Sequence, residues 1–168
     1  MTTPTIFPDS LNAYASLGTN ATTVLANSPA PASGTTALYT GAVTIPVSTA
    51  IGTNIALVPL QAGGRVIASS IEIYLSGTLG ASVTLNLGIL TASGSGIINM
   101  AGTTVAESAT YFLSAGTGSA AGKLGATAIG SNPFRLAAGE TGFLNLQTAG
   151  AITGTAQTIQ YSALVDYA

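Results

Sequence analysis

Two stretches of strict two-residue alternation constrain this chain more than anything else in it. Ile71, Ile73 and Leu75 alternate with Glu72, Tyr74 and Ser76, and Val83, Leu85, Leu87 and Ile89 alternate with Thr84, Asn86, Gly88 and Leu90. An extended backbone sends successive side chains to opposite faces, so each stretch acquires one apolar face; a helix would scatter the same residues around its circumference. Leu144 and Leu146 alternate in the same way with Phe143, Asn145 and Gln147, and Ile159, Tyr161, Ala163 and Val165 alternate with Thr158, Gln160, Ser162 and Asp166. Residues 37–45, 54–60 and 65–69 are further strand candidates, and Gly, Ser and Pro punctuate the intervals. Several short strands separated by turn residues predict an all-β chain built as an antiparallel β-sandwich or jelly roll.

Residues 1–35 do not share this pattern. They are rich in Thr, Ala, Asn and Ser, and Pro4, Pro8, Pro29 and Pro31 block regular sheet pairing. The segment reads as an extended N-terminal arm with one short helical turn over 10–17, where Ser10 can cap and Leu11, Tyr14 and Leu17 recur on one face. The sandwich domain is then 36–168. Within it, 92–104 and 115–132 are loaded with Gly, Ser, Ala and Thr and read as long loops, which on a compact sandwich usually contact something or move. Residues 107–113 suit a helix or a strand. No fixed-period repeat supports a solenoid or fibre.

Charge is the compositional extreme. Only 5% of residues are charged, against about 25% in an ordinary soluble domain. They are Asp9, Arg65, Glu72, Glu107, Lys123, Arg135, Glu140 and Asp166, and none falls between 10 and 64. A surface with so little self-repulsion is suited to association. A sandwich also leaves strand edges open, and such edges are normally guarded by Lys, Pro or inward charge. Lys123 is the only lysine and falls in a predicted loop, while Pro46 and Pro59 blunt one edge each. The other edges have to be twisted away, covered by the arm or paired with a neighbour. Mean hydropathy is +0.56 without an apolar run of membrane-spanning length. No membrane span or secretory leader is expected, and without a basic patch neither is nucleic acid as a partner.

Chemistry finds few footholds. With no His and no Cys, Ser-His-Asp and Cys-His sites are excluded and the commonest metal and haem ligands are missing, so no cofactor or metal is expected. Ser119 and Lys123 stand close in sequence, yet in a Gly-Ala stretch that offers a lysine no desolvation. Glu72, Glu107 and Glu140 lie on separate segments and suit solvation or salt bridges to Arg65 or Arg135 better than glycoside hydrolysis. Residues 116–123, GTGSAAGK, imitate a phosphate loop but have Thr117 where the first glycine belongs and Leu124 where Ser or Thr belongs. Rows of Thr that could make an ice-binding or adhesive face would need a regular spacing that is absent. The chain is expected to be structural and not an enzyme.

One resemblance gives this expectation a direction. Leu60-Gln61-Ala62-Gly63-Gly64-Arg65-Val66-Ile67, then Ile71-Glu72-Ile73-Tyr74-Leu75, then Gly80-Ala81-Ser82-Val83-Thr84-Leu85-Asn86-Leu87-Gly88 resemble segments of small tailed-bacteriophage virion proteins. The similarity continues loosely through Ser108-Ala109-Thr110-Tyr111-Phe112-Leu113 and the final Leu164-Val165-Asp166-Tyr167, covering roughly 38–167 and not the arm. The resemblance implies a capsid decoration, or cement, protein on the head exterior. It would be made in the bacterial host cytoplasm and bind the major capsid protein of the same virion as a homo-oligomer, with trimers expected at threefold or quasi-threefold positions. A head fibre, spike, neck or tail component, or a host-surface adhesive module, is the alternative. Candidate contacts are Thr5, Ile6, Phe7, Leu11, Tyr14 and Leu17 in the arm. In the two loops they are Ile97, Ile98, Met100, Lys123 and Leu124.

Overall fold

The structure is a computed structural model that describes residues 5–6, 34–47, 49–99, 101–126, 135–150 and 152–167. Its strands are β1 (Thr5–Ile6), β2 (Thr35–Ile45), β3 (Asn54–Leu60), β4 (Gly64–Val66), β5 (Glu72–Leu75), β6 (Thr84–Thr91) and β7 (Ile97–Ile98). They continue with β8 (Thr104–Val105), β9 (Ser108–Thr117), β10 (Gly122–Gly125), β11 (Arg135–Leu136), β12 (Gly142–Thr148) and β13 (Gln157–Tyr167). A single 3-10 turn, Ala68–Ser70, is the only helical element among the described residues, and no helix there is long and apolar enough to cross a membrane.

The strands form two sheets packed face to face, the sandwich that the alternation predicts. The smaller sheet has five strands in the order β1-β3-β12-β6-β9, and the larger has eight, running β10-β5-β13-β4-β11-β7-β8 with β2 on the other side of β13. Pairing is antiparallel throughout except for β1, whose Thr5 and Ile6 lie parallel to Asn54 and Ile55. The interior is filled from both sheets. Ile73, Leu75, Ile159, Ala163 and Val165 of the larger sheet and Ile55, Leu85, Leu87, Leu144 and Leu146 of the smaller are all essentially inaccessible. Each of these Ile, Leu and Val side chains contributes about 1.5–3 kcal/mol relative to exposure.

Strand β13 is the spine of the larger sheet. All eleven of its residues pair with β2, from Gln157–Ile45 to Tyr167–Thr35, with no register shift. On its other side it pairs with β5 through 159–162 and with β4 through 165–167. Residues 67–71 bulge between those two strands. The bulge is stitched down by Ile67 N–H donating to Leu164 O at 2.9 Å, and by Ser70 Oγ accepting from Leu164 N–H at 2.8 Å. This corrects the reading of 65–69 as one strand: pairing stops at Val66, and Ala68–Ser70 is the 3-10 turn. The preceding turn requires Gly63, which has φ +78° and donates to Leu136 O at 2.9 Å while Gly64 closes on Gln61 O at 2.9 Å.

Three further expectations change. Residues 107–113 resolve as strand, since β9 begins at Ser108 and pairs with β6 through two register shifts. The stretch 92–104 contains β7 and the start of β8, closed by an Asn99 turn in which Gly102 N–H donates to Asn99 O at 2.9 Å. The stretch 115–132 contains the end of β9 and all of β10. Both short strands carry too few apolar residues for periodicity to reveal them. The helical turn expected over 10–17 lies outside the described residues.

Close packing at the β6–β9 shift leaves no room at Gly88, where a Cβ would overlap the Ser108 carbonyl and the Ala109 backbone. Gly88→Ala should therefore lower unfolding free energy by about 3 kcal/mol in urea titration. Gly125→Ala, whose Cβ would meet only Ile71 O at 3.6 Å, should stay within about 0.5 kcal/mol of wild type.

Two core tyrosines make the fold sensitive to alkali. Burial pushes the Tyr161 phenol from its ordinary 10.0 up to about 12. Burial also raises Tyr167, helped by its hydrogen bond to Tyr39 and opposed by a weaker backbone contact at Gln61. The folded chain keeps these protons where the unfolded chain has lost them. Their stabilisation is complete below pH 10.0 and, for Tyr161, declines as pH rises through about 12. Urea midpoints should fall steeply above pH 10.0, and Tyr161→Phe should flatten that fall.

Candidate assembly surface

The described charged groups are largely occupied within the chain. Arg65 Nη2 meets Asp166 Oδ2 at 2.7 Å, and Lys123 Nζ meets Glu72 Oε1 at 2.5 Å. With side chains 60% and 59% exposed, the second pair adds less than about 1 kcal/mol to stability. Glu140 Oε1 accepts from Ala92 N–H at 3.0 Å, Ser93 N–H at 3.3 Å and Thr141 N–H at 3.2 Å, while its Oε2 accepts from Ser93 Oγ at 2.6 Å. Glu107 Oε2 accepts from Thr91 N–H at 2.8 Å. These two carboxylates clamp the turn leaving β6, a local role besides the solvation or salt bridges expected from sequence. Among the described residues no group of three His, Cys, Asp or Glu side chains comes together. GTGSAAGK runs from the end of β9 through a turn into β10, a strand-to-strand context unlike a phosphate loop.

The predicted contact residues scatter. Thr5 and Ile6 form β1 against their own chain's β3. Phe7, Leu11, Tyr14, Leu17 and Met100 lie outside the described residues. Ile97 is 0% exposed and belongs to the core, so it supports its turn and presents nothing to a partner; Ile98 beside it is half-buried. Lys123 is exposed on β10, paired across to Tyr74, and Leu124 packs half-buried against the core. Lys123 thus guards a sheet edge after all, in place of the loop position expected. Pro59 sits within β3, whereas Pro46 only follows the last residue of β2.

The face of the larger sheet turned away from the core is an open, nearly neutral surface. From β2 it presents Thr36, Leu38, Thr40, Ala42 and Thr44, alternating with inward Ala37, Tyr39, Gly41, Val43 and Ile45. Cross-strand registry sets Leu38 beside Leu164, Thr40 beside Ser162 and Ala42 beside Gln160. The row then runs to Tyr74 and Lys123. Leu38 is 64% exposed and Tyr74 51%. A shallow pocket of about 250 Å³ lies on this face, lined by Glu72, Tyr74, Lys123, Gln160 and Ser162. Sequence reading did not single out β2 as a contact surface. The available signal was its period-two pattern inside the charge-free stretch, with a leucine on the polar side.

No protein-family model and no curated protein sequence matches the chain. Among solved structures it is similar to a chain of the capsid of Ralstonia phage GP4, at 19% identity and TM-score 0.51, covering 84% of this chain and 90% of that one. It is also similar to a chain of the cyanophage Pam1 capsid asymmetric unit, at 17% identity and TM-score 0.49, covering 82% and 89%. At these identities the likeness to the GP4 chain is one of fold: a two-sheet sandwich of matching extent.

Proposed function

We propose that this chain is a virion structural protein, and specifically a decoration or cement protein of a tailed-phage head. The observation that carries the reading is the shared fold with a chain found in the GP4 capsid, matched over nearly the whole of both chains. The neutral outer face supports it, because a protein whose charges pair internally keeps its surface available for close association. The partner is the major capsid protein of the same virion, with further copies of the chain as neighbours. Residues 1–34 and the turns within 92–104 and 115–132 supply contacts to the shell exterior. Each copy adds a modest interface, and symmetry repeats it many times, so the shell gains resistance to internal pressure through multivalency. Binding that depends little on charge changes little with salt.

A second reading has one observation in its favour. The half-exposed Tyr74, flanked by Glu72, Lys123, Gln160 and Ser162, offers an aromatic platform with polar neighbours, which suits an adhesive module on a head fibre, spike, neck or tail.

Incubation of the purified chain with shells lacking it separates the two. Saturable occupancy of the shell exterior by electron microscopy, at low and high salt alike, is expected. Removal of residues 1–34 should cut that occupancy at least about tenfold, through loss of one of several linked contacts. Absence from shells combined with saturable binding on a glycan array, abolished by Tyr74→Ala, would overturn decoration in favour of adhesion.

A further inference from the structure

The described strand edges are not equally protected. In the smaller sheet β1 is only two residues long, β3 beyond it carries Pro59, and β9 is broken by two register shifts. In the larger sheet β8 is two residues long, and β10 is four residues long with Lys123 paired to Glu72. Short length, proline, bulges and lysine are the devices by which sheets avoid joining edge to edge. Strand β2 has none of them. It runs eleven residues, holds an unshifted ladder with β13 and carries no charge and no proline, and among the described strands nothing pairs with its far side. A regular ladder on one side leaves a regular row of backbone donors and acceptors on the other, which is a template for another strand.

The residues along β2 indicate what that strand is. Turned antiparallel upon itself about Thr40, the segment 36–44 sets Leu38 opposite Ala42 and Thr36 opposite Thr44 on the outer face. On the inner face it sets Tyr39 opposite Gly41 and Ala37 opposite Val43. Each large side chain meets a small one, Thr meets Thr, and no like charges face each other; cross-strand pairs of this kind stabilise a sheet. An aromatic opposite a strand glycine also covers the backbone that the glycine leaves bare. Within its own chain Gly41 is already approached by the Tyr161 phenol from β13, so a second aromatic from the far side completes its enclosure. Leu38, 64% exposed in the single chain, gains cover in the pair.

From this self-complementarity we infer that β2 is a homotypic docking edge: it pairs antiparallel with β2 of a second copy about a two-fold axis at Thr40, joining the two eight-stranded sheets into one. Pairing of one edge with itself is closed and two-fold, so any threefold grouping uses other surfaces. The contact needs only this chain and does not rest on the decoration reading.

The chain has no cysteine, which allows a direct test. Across the axis, Cα atoms of facing residues lie about 4.5–5.5 Å apart, within reach of a disulfide. Thr40→Cys should yield covalent dimers under mild oxidation, while Thr110→Cys, on the exposed edge of the bulged β9, should give only collisional background. Thr40→Lys and Thr40→Glu should each sediment as monomers at concentrations where wild type is dimeric, and mixing them should restore a heterodimer. Monomeric wild type at every concentration overturns the inference, as does equal cross-linking at both positions or dimers that persist in both charged variants. Shell occupancy is scored separately. A chain that never dimerises yet fills shell sites sinks only the edge pairing, and a dimer that ignores shells sinks only decoration.

Discussion

The rest of the structure depends on the eleven-residue pairing of β13 with β2. This ladder carries the row of Ile159, Tyr161, Ala163, Val165 and Tyr167 across the interior of the larger sheet. Its opposite side recruits β5 and β4, which diverge around the Ala68–Ser70 bulge to extend the sheet in two directions. At Gly41 the ladder packs directly on a core side chain, because a Cβ there would overlap the Tyr161 phenol. Among the described strands, β2, which pairs with the whole of β13, is also the longest at an edge of the larger sheet.

The scarcity of charge acquires a physical meaning once partners are assigned. Arg65 with Asp166 and Lys123 with Glu72 neutralise one another on the sheet, and Glu107 and Glu140 satisfy backbone N–H groups at the turn after β6. Little of the charge is left to repel a neighbour, and none lies on β2. Electrostatics here brace turns and one edge of the fold, and the β2 pairing inferred above would rest on backbone hydrogen bonding and apolar cover.

Strands with enough apolar residues to establish a period were legible from sequence: β3 was read at 54–60, its observed bounds, and β2, β5, β6, β12 and β13 within two residues at each end. The two-residue strands β7, β8 and β11 were not, because so short a segment has no period; the four residues of β10 are half glycine. The middle of the smaller sheet was half-read. Leu144 and Leu146 were placed inward correctly, but Phe143, Asn145 and Ala56 on the opposite side are buried as well, at 7%, 0% and 1% exposure. Asn145 there donates from Nδ2 to Asn54 Oδ1 at 3.1 Å, alongside Gln147 Nε2 at 3.0 Å, while its own buried Oδ1 accepts no hydrogen bond among the described residues. Nothing in an alternating pattern announces that its polar half will also be covered.

The surroundings of the candidate contact residues are less legible in sequence than the fold, and for a clear reason. Loop composition does not reveal that Ile97 turns inward or that Lys123 joins an edge strand, since a side chain's exposure depends on which distant strand lies beside it. By itself the sequence determined that the chain forms alternating strands, lacks the residues for the commonest catalytic triads, and carries almost no surface charge, because these follow from residue type and local spacing. Only the tertiary structure decided which of the described strands lie at the edges, how the few charges pair, and that among those strands β2 is the one long edge without a guard. Strand order brings together residues more than a hundred positions apart, and no local pattern encodes it.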